Sequence, residues 1–133
     1  MESCAQTESK STILVIDDEP IICRLLSSLL SRQGWQVLTS LDPREALEIL
    51  IAEPVSLVIS DIQMPHLDGL KLVGMAKAAR PKVPILLMTG NSSRYSAEEA
   101  LKSGADGYVT KPFRQSELIE RIGKLLRCRA ATT

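Results

Sequence analysis

The stretch Ile13-Leu14-Val15-Ile16-Asp17-Asp18-Glu19-Pro20 decides how the rest of the sequence is interpreted. Its first half is a short apolar run rich in β-branched residues, which is typical of a buried strand. The run stops at two adjacent carboxylates, and Pro20 stands at a position suited to the first turn of a helix. Apolar residues then repeat at helical spacing, at Ile21, Ile22, Leu25, Leu26, Leu29 and Leu30. The stretch therefore predicts a buried strand, an acidic turn and a helix.

The same pairing of a strand with a helix recurs along the chain. The later strands are predicted over residues 35–40, 55–60, 85–88 and 106–110, and the later helices over 43–51, 70–79, 96–102 and 116–127. Asp42, Pro43 and Glu45 stand at the positions of an N-cap, a first-turn proline and a capping-box acid. Strict alternation of strands and helices predicts an α/β fold, a doubly wound five-stranded parallel sheet with helices on both faces.

Length and composition indicate a small globular domain. The chain has 133 residues, and 11–127 are predicted to form one domain, with 1–10 as a disordered or tag-like tail and 128–133 as a C-terminal tail or linker start. Lys and Arg number 16, as do Asp and Glu, so no basic excess points to direct nucleic-acid or membrane binding. No apolar run has the length of a membrane span or of a secretory signal, and the three cysteines lack metal-ligand spacing. We therefore expect a cytoplasmic protein with reduced thiols.

Polar residues follow the predicted strands at the edge where parallel α/β sheets bind ligands. Asp17 and Asp18 follow the first strand, Asp61 the third, Thr89 the fourth and Lys111 the fifth. Two carboxylates repel each other by about 1 kcal/mol in water at about 4 Å, and by more near a protein surface. Either a carboxyl group is protonated or a cation binds, and oxygen donors with room for water favour Mg²⁺. Each residue alone has an ordinary explanation as a turn, cap or loop residue, so the hypothesis depends on their joint placement.

Four motifs, each at the end of a predicted strand, resemble those of a known family. They are Val15-Ile16-Asp17-Asp18-Glu19-Pro20, Ser60-Asp61-Ile62-Gln63-Met64-Pro65-His66-Leu67-Asp68-Gly69, Met88-Thr89-Gly90 and Gly104-Ala105-Asp106-Gly107-Tyr108-Val109-Thr110-Lys111-Pro112-Phe113. In this order they make residues 12–127 similar to the receiver domain of bacterial two-component response regulators, including the single-domain chemotaxis type. The resemblance implies the flavodoxin-like strand order 2-1-3-4-5.

The resemblance also implies an acceptor and a metal site. Asp61 matches the aspartate that accepts the phosphoryl group. Asp18, Asp61 and the backbone carbonyl of Gln63 would bind Mg²⁺ directly, and Asp17 would hold the ion mainly through water. Mn²⁺ is an acceptable substitute for Mg²⁺ at such a site.

Further positions match family residues that stabilise the phosphoryl group, change conformation in response to it or set its lifetime. Lys111 would pair with Asp61 and then with its phosphoryl group, and family members usually have a cis peptide where this chain has Lys111-Pro112. Thr89 would move toward a phosphoryl oxygen, and Tyr108 would turn inward to fill the space that Thr89 leaves. Gln63 and Asn91 lie where family members tune the lifetime of the aspartyl phosphate.

By resemblance the chain is a signalling domain, with self-phosphorylation and autodephosphorylation as its only chemistry, and not an enzyme. A sensor histidine kinase or a histidine phosphotransfer protein would donate the phosphoryl group. An unknown output partner would bind the face formed by the fourth helix, the fifth strand and the fifth helix. A receiver domain cut from a hybrid histidine kinase or from a longer regulator would have the same sequence features.

Three other kinds of protein share the predicted fold. A phosphatase of the haloacid-dehalogenase type, with an aspartate nucleophile, needs a second acid where this chain has Gln63. A flavodoxin-type flavin module needs a phosphate-binding loop after the first strand, where Asp17, Asp18 and Glu19 would repel a phosphate. A purely structural receiver-like domain would lack the acidic set or the lysine, and this chain has both.

Overall fold

Five strands and five helices alternate in the part of the chain that the computed structural model describes, which is residues 11–62, 69–90 and 97–131. The strands are β1 (Thr12–Ile16), β2 (Gln36–Ser40), β3 (Leu57–Asp61), β4 (Ile85–Thr89) and β5 (Gly107–Thr110). The helices are α1 (Pro20–Ser31), α2 (Pro43–Ala52), α3 (Gly69–Ala79), α4 (Ala97–Lys102) and α5 (Gln115–Ala131). The predicted α/β class is confirmed.

The strands form one parallel sheet in the order β2-β1-β3-β4-β5, as the resemblance implied. Ile16 at the end of β1 lies beside Ser60 of β3, and Asp61 lies beside Met88 of β4. Thr89 at the end of β4 lies beside Thr110 at the end of β5. The carboxyl ends of these four strands are therefore level, and the residues that follow them meet at one edge.

Two hydrophobic layers cover the sheet, because alternate strand residues point to opposite faces. Leu14 and Ile16 of β1 pack with buried residues of α2 and α3. Ile13 and Val15 pack on the other face with buried residues of α1 and α5. The prediction of helices on both faces is confirmed. Every helix in the described ranges is too short or too polar to span a bilayer.

Several predicted boundaries differ from those in the structure. β3 begins at Leu57, which pairs with Ile13, and includes Asp61, which pairs with Met88. Ser56 precedes the strand, and its side-chain Oγ accepts a hydrogen bond from the Thr12 N–H at 3.2 Å. Trp35 precedes β2 and is partly buried beside α1. α5 continues to Ala131, so residues 128–131, predicted as a tail or linker, are helical. Arginine and alanine are strong helix formers and no glycine or proline interrupts them, which explains the extension.

Helix boundaries near the site follow local rules. The Asp42 carboxylate accepts a hydrogen bond from the backbone N–H of Arg44 at 2.9 Å, and Pro43 occupies the first turn, as predicted. Gly34, with φ of 94°, lies in the turn after α1, a backbone conformation that favours glycine. These boundaries set where β2 and α2 flank the end of β1.

Candidate functional site

Three carboxylates gather at the carboxyl edge of the sheet. Asp17 and Asp18 follow β1, and Asp61 ends β3; one oxygen atom of each lies within 4.8 Å of the others. Asp17 is buried, whereas Asp18 is exposed and the Asp61 side chain retains 13% of its accessible surface. The cluster is thus closed on the side of the sheet and open to solvent on the other, so that a ligand can reach Asp61.

The Asp17 carboxylate is held in place by the start of α1. Its Oδ1 accepts a hydrogen bond from the backbone N–H of Glu19 at 2.9 Å. Its backbone N–H donates to the carbonyl of Ser40 at 3.1 Å, and its own carbonyl accepts from the Cys23 thiol at 3.4 Å. Burial raises the pKa of Asp17, and the charge of Asp61 adds to this, while the Glu19 N–H and Lys111 act in the opposite direction.

Lys111 lies between two of the carboxylates. Its Nζ is 3.4 Å from Oδ2 of Asp17 and 3.4 Å from Oδ2 of Asp61. The Lys111 backbone N–H donates to the carbonyl of Thr89 at 2.6 Å, and the Lys111-Pro112 peptide bond is cis, as the resemblance implied. Burial by itself would lower the pKa of Lys111, but Asp61 and Asp17 together outweigh it, so the pKa is raised. Lys111 is therefore held as an ammonium group against Asp61.

Thr89 and Tyr108 lie on neighbouring strands beside this cluster. Thr89 is buried, and its hydroxyl donates to the carbonyl of Val109 at 3.4 Å. Tyr108 is half-buried, and its ring centroid lies 5.7 Å from Cζ of Arg121. The structure therefore brings the Thr89 hydroxyl to the same sheet edge as the carboxylates, and Tyr108 lies on the neighbouring strand β5.

Two of the predicted site residues lie outside the described part of the chain, and three contacts at the site were not predicted. Gln63 and Asn91 lie outside the described residues. The Cys23 thiol and the Glu19 N–H, which fix Asp17, were not predicted, although Cys23 occupies a core-facing position in the first turn of α1. The contact of Arg121 with Tyr108 was also missed, because it joins two elements that are separate in sequence.

The residues present fit a hard divalent cation. The cluster offers only carboxylate oxygens, the donors that Mg²⁺ prefers. Three carboxylates face one ammonium group, so the site retains an excess of negative charge when all four are ionised. A buried carboxylate such as Asp17 is costly unless it is paired, and a cation beside it offsets that cost.

A doubly wound parallel sheet with carboxylates, a hydroxyl and an ammonium group at its carboxyl edge defines a class of α/β domain whose sheet edge fits a hard cation. Within that class, residues 13–123 match the response regulator receiver domain, and the chain belongs to this family of two-component signalling domains. Members of the family bind Mg²⁺ in general and act in signalling. This membership disfavours the phosphatase and the flavin module, and the cluster of Asp17, Asp18 and Asp61 with Lys111 beside it disfavours a purely structural receiver-like domain.

Curated proteins and solved structures agree with this assignment. The chain is 36% identical over 115 residues, 86% of its length, to the alkaline phosphatase synthesis transcriptional regulatory protein PhoP of Bacillus subtilis, of which it covers 48%. A receiver domain structure from Clostridium thermocellum matches with a TM-score of 0.87 and 30% identity, covering 92% of this chain and 99% of that one. Full-length FixJ from B. japonicum matches with a TM-score of 0.85 and 36% identity over 92% of this chain and 62% of that one. The chain spans about half the length of the curated relatives it matches.

Proposed function

We propose that Asp61 is the phosphoryl acceptor of this receiver domain. The observation that carries the proposal is the position of Lys111, whose Nζ lies 3.4 Å from the Asp61 carboxylate at a solvent-accessible edge of the sheet. Of the three clustered carboxylates, Asp17 is buried and already accepts a backbone hydrogen bond, which makes it a poor nucleophile. Asp18 is accessible but makes no ion pair with Lys111 among the described residues, whereas Asp61 combines access with a neighbouring cation, as an attacking carboxylate requires.

The metal would be held by Asp17, Asp18 and Asp61, with the backbone carbonyl of Gln63 as a further proposed ligand. The carboxylate cluster supports this assignment. When bound, Mg²⁺, or Mn²⁺ in its place, supplies positive charge that neutralises phosphoryl oxygens during transfer. The Glu19 N–H orients the Asp17 carboxylate, and the Cys23 thiol holds the backbone carbonyl of Asp17, before any ligand arrives.

The transfer itself needs few protein groups. A carboxylate oxygen of Asp61 forms a bond to phosphorus while the bond between phosphorus and the donor's histidine nitrogen breaks, and the imidazole leaves. Lys111 moves its charge from the Asp61 carboxylate to a phosphoryl oxygen, and the Thr89 hydroxyl donates a hydrogen bond to another. Water later attacks the phosphorus, releasing inorganic phosphate and restoring the carboxylate; Gln63 and Asn91 are the positions that would tune this rate.

The phosphorylated state is read out by a shift between two conformations. Thr89 leaves its present bond to the Val109 carbonyl, and the half-buried ring of Tyr108 turns inward. The face of α4, β5 and α5 then binds the output partner, with no direct contact to nucleic acid or membrane. The donor is a sensor histidine kinase or a histidine phosphotransfer protein in the cytoplasm, and the free thiol of Cys23 supports that compartment. The names of the curated relatives support a transcriptional output for a longer protein that contains such a domain.

The test replaces Asp61 with asparagine. The Asp61→Asn protein, incubated with acetyl phosphate and Mg²⁺, should gain no phosphoryl group by intact-mass analysis, whereas the unaltered protein gains one. Asp42→Asn is the matched control, because asparagine is as good an N-cap as aspartate and Asp42 lies at the start of α2. Equal phosphoryl uptake by the Asp61→Asn and Asp42→Asn proteins would show that another residue is the acceptor.

A further inference from the structure

Arg121 makes a contact that joins the two faces of the sheet. Its guanidinium carbon lies 5.7 Å from the ring centroid of Tyr108, within the range of a cation–π interaction. Tyr108 packs on the face covered by α2 and α3, whereas α5, which carries Arg121, packs on the opposite face. β5 is an edge strand, so the arginine side chain can reach around it.

A second contact limits the freedom of this side chain. Nε of Arg121 lies 3.7 Å from a carboxylate oxygen of Glu117, one turn earlier on α5. The Arg121 and Glu117 side chains are 43% and 44% exposed, so solvent weakens the ion pair. The same Arg121 conformation makes the ion pair and the contact with Tyr108, so the ion pair restrains the side chain in that conformation. The ring of Tyr108 is thus bounded by the sheet on one side and by a partly restrained cation at the edge.

We propose that Arg121 is a positioning residue that holds the Tyr108 ring at the sheet edge in the unphosphorylated state and so sets how easily the switch turns. The inference rests on the proposed function, in which Tyr108 turns inward. Inward rotation carries the ring away from the guanidinium, so the cation–π contact stabilises only the outward conformation. A contact made in one of two states shifts the equilibrium between them by its full strength.

The size of the effect follows from the strength of the contact. A half-exposed cation–π pair is strong enough to change an equilibrium by about two- to fivefold. Replacing Arg121 with alanine should therefore raise the ratio of inward to outward Tyr108 by about two- to fivefold. While the outward state predominates, the affinity for a phosphoryl mimic should rise by the same factor.

The experiment uses fluorine NMR of the whole chain labelled with 3-fluorotyrosine. The chain has two tyrosines, and Tyr95→Phe assigns the signal of Tyr108. Beryllium fluoride with Mg²⁺ serves as the phosphoryl mimic and marks the inward position of the signal. In the absence of the mimic, Arg121→Ala should move the Tyr108 signal toward that position, and Arg121→Lys should largely restore the original signal because lysine also places a cation on the ring.

Controls separate this inference from the proposed function. Arg127→Ala removes an exposed arginine about 9 Å further along α5 and should leave the Tyr108 signal unchanged. A Tyr108 signal that does not differ between the unaltered protein and Arg121→Ala without the mimic overturns the positioning role. A failure of the unaltered protein to take up phosphate on Asp61 would instead overturn the proposed function, and the comparison without the mimic would still decide whether Arg121 holds the ring.

Discussion

Removing the Lys111 ammonium group tests the electrostatics of the site by a stability measurement that needs no phosphoryl transfer. In a Lys111→Met protein, Asp17 and Asp61 lose the cation that lies 3.4 Å from each of them. One such ion pair amounts to about 5 kcal/mol at the effective dielectric constant that suits pairs near a protein surface, before desolvation is subtracted. Because Lys111 is 25% exposed and its own desolvation is relieved, we expect a net loss of about 2–4 kcal/mol in the free energy of unfolding at neutral pH without Mg²⁺.

The loss should depend on pH in a defined direction. Burial already raises the pKa of Asp17 above 3.8, and removing Lys111 takes away an interaction that lowers it. The folded state of the variant therefore binds a proton more tightly than the unfolded chain does, and its stability falls as pH rises from 3.8 through the raised pKa. The difference between the Lys111→Met and unaltered proteins should shrink on acidification through that range.

Urea unfolding in the presence of a chelator measures the effect. Lys124→Met, which removes an exposed lysine from α5, is the control for loss of one positive charge. Adding Asp17→Asn to Lys111→Met should recover most of the lost stability, because asparagine removes the buried charge and retains an oxygen for the Glu19 N–H. Equal urea midpoints for Lys111→Met and Lys124→Met at neutral pH would refute the argument, as would a deficit that stays constant down to acidic pH.

Three further predictions concern the scaffold. Asp106→Ala should lower the free energy of unfolding in urea by about 1–3 kcal/mol, because the buried Ile85 N–H loses the carboxylate that accepts its hydrogen bond at 2.8 Å. Asp106→Asn keeps an acceptor and should lower it by less. Equal losses for the two variants would contradict this explanation. Gly34→Ala should lower the free energy of unfolding by about 1–2 kcal/mol, because φ is 94° there. Gly74→Ala, in helix α3, should raise the free energy of unfolding by about 0.5–1 kcal/mol, because the added Cβ would lie in open space and alanine loses less backbone entropy than glycine. The same sign of change for both glycine variants in thermal unfolding would exclude a backbone origin.

Sequence patterns predicted the fold because the spacing of apolar residues and the residues that start or stop helices and strands indicate the same elements along the chain. The apolar run before Asp17, the cap at Asp42 and the glycine at 34 each mark a boundary by local chemistry, and each is where the structure has it. The predicted end of α5 at Arg127 was wrong, because the helix continues to Ala131. No residue after Arg127 is a helix-stopping glycine or proline, so packing and helix propensity set the length of the helix.

The sequence predicted which residues form the candidate site, but not how those residues differ in burial. Strand-end placement brought Asp17, Asp18 and Asp61 together, yet nothing in the sequence separates a buried Asp17 from an exposed Asp18. That difference comes from the direction in which the chain turns into α1, which determines which carboxylate points back over the sheet. The contact of Arg121 with Tyr108 depends on side-chain reach around an edge strand, which no residue pattern encodes.

The ion pairs of Lys111 connect residues that are far apart along the chain. Asp17 is 94 positions away in sequence, and Asp61 is 50. Four strands, β1, β3, β4 and β5, must be in register before these groups meet, because β4 lies between β3 and β5. A short fragment of the chain therefore cannot contain the site. Ligand binding and assembly of the sheet are therefore coupled. A cation or phosphoryl mimic that binds here stabilises the assembled sheet relative to partly folded forms in which the site is not formed.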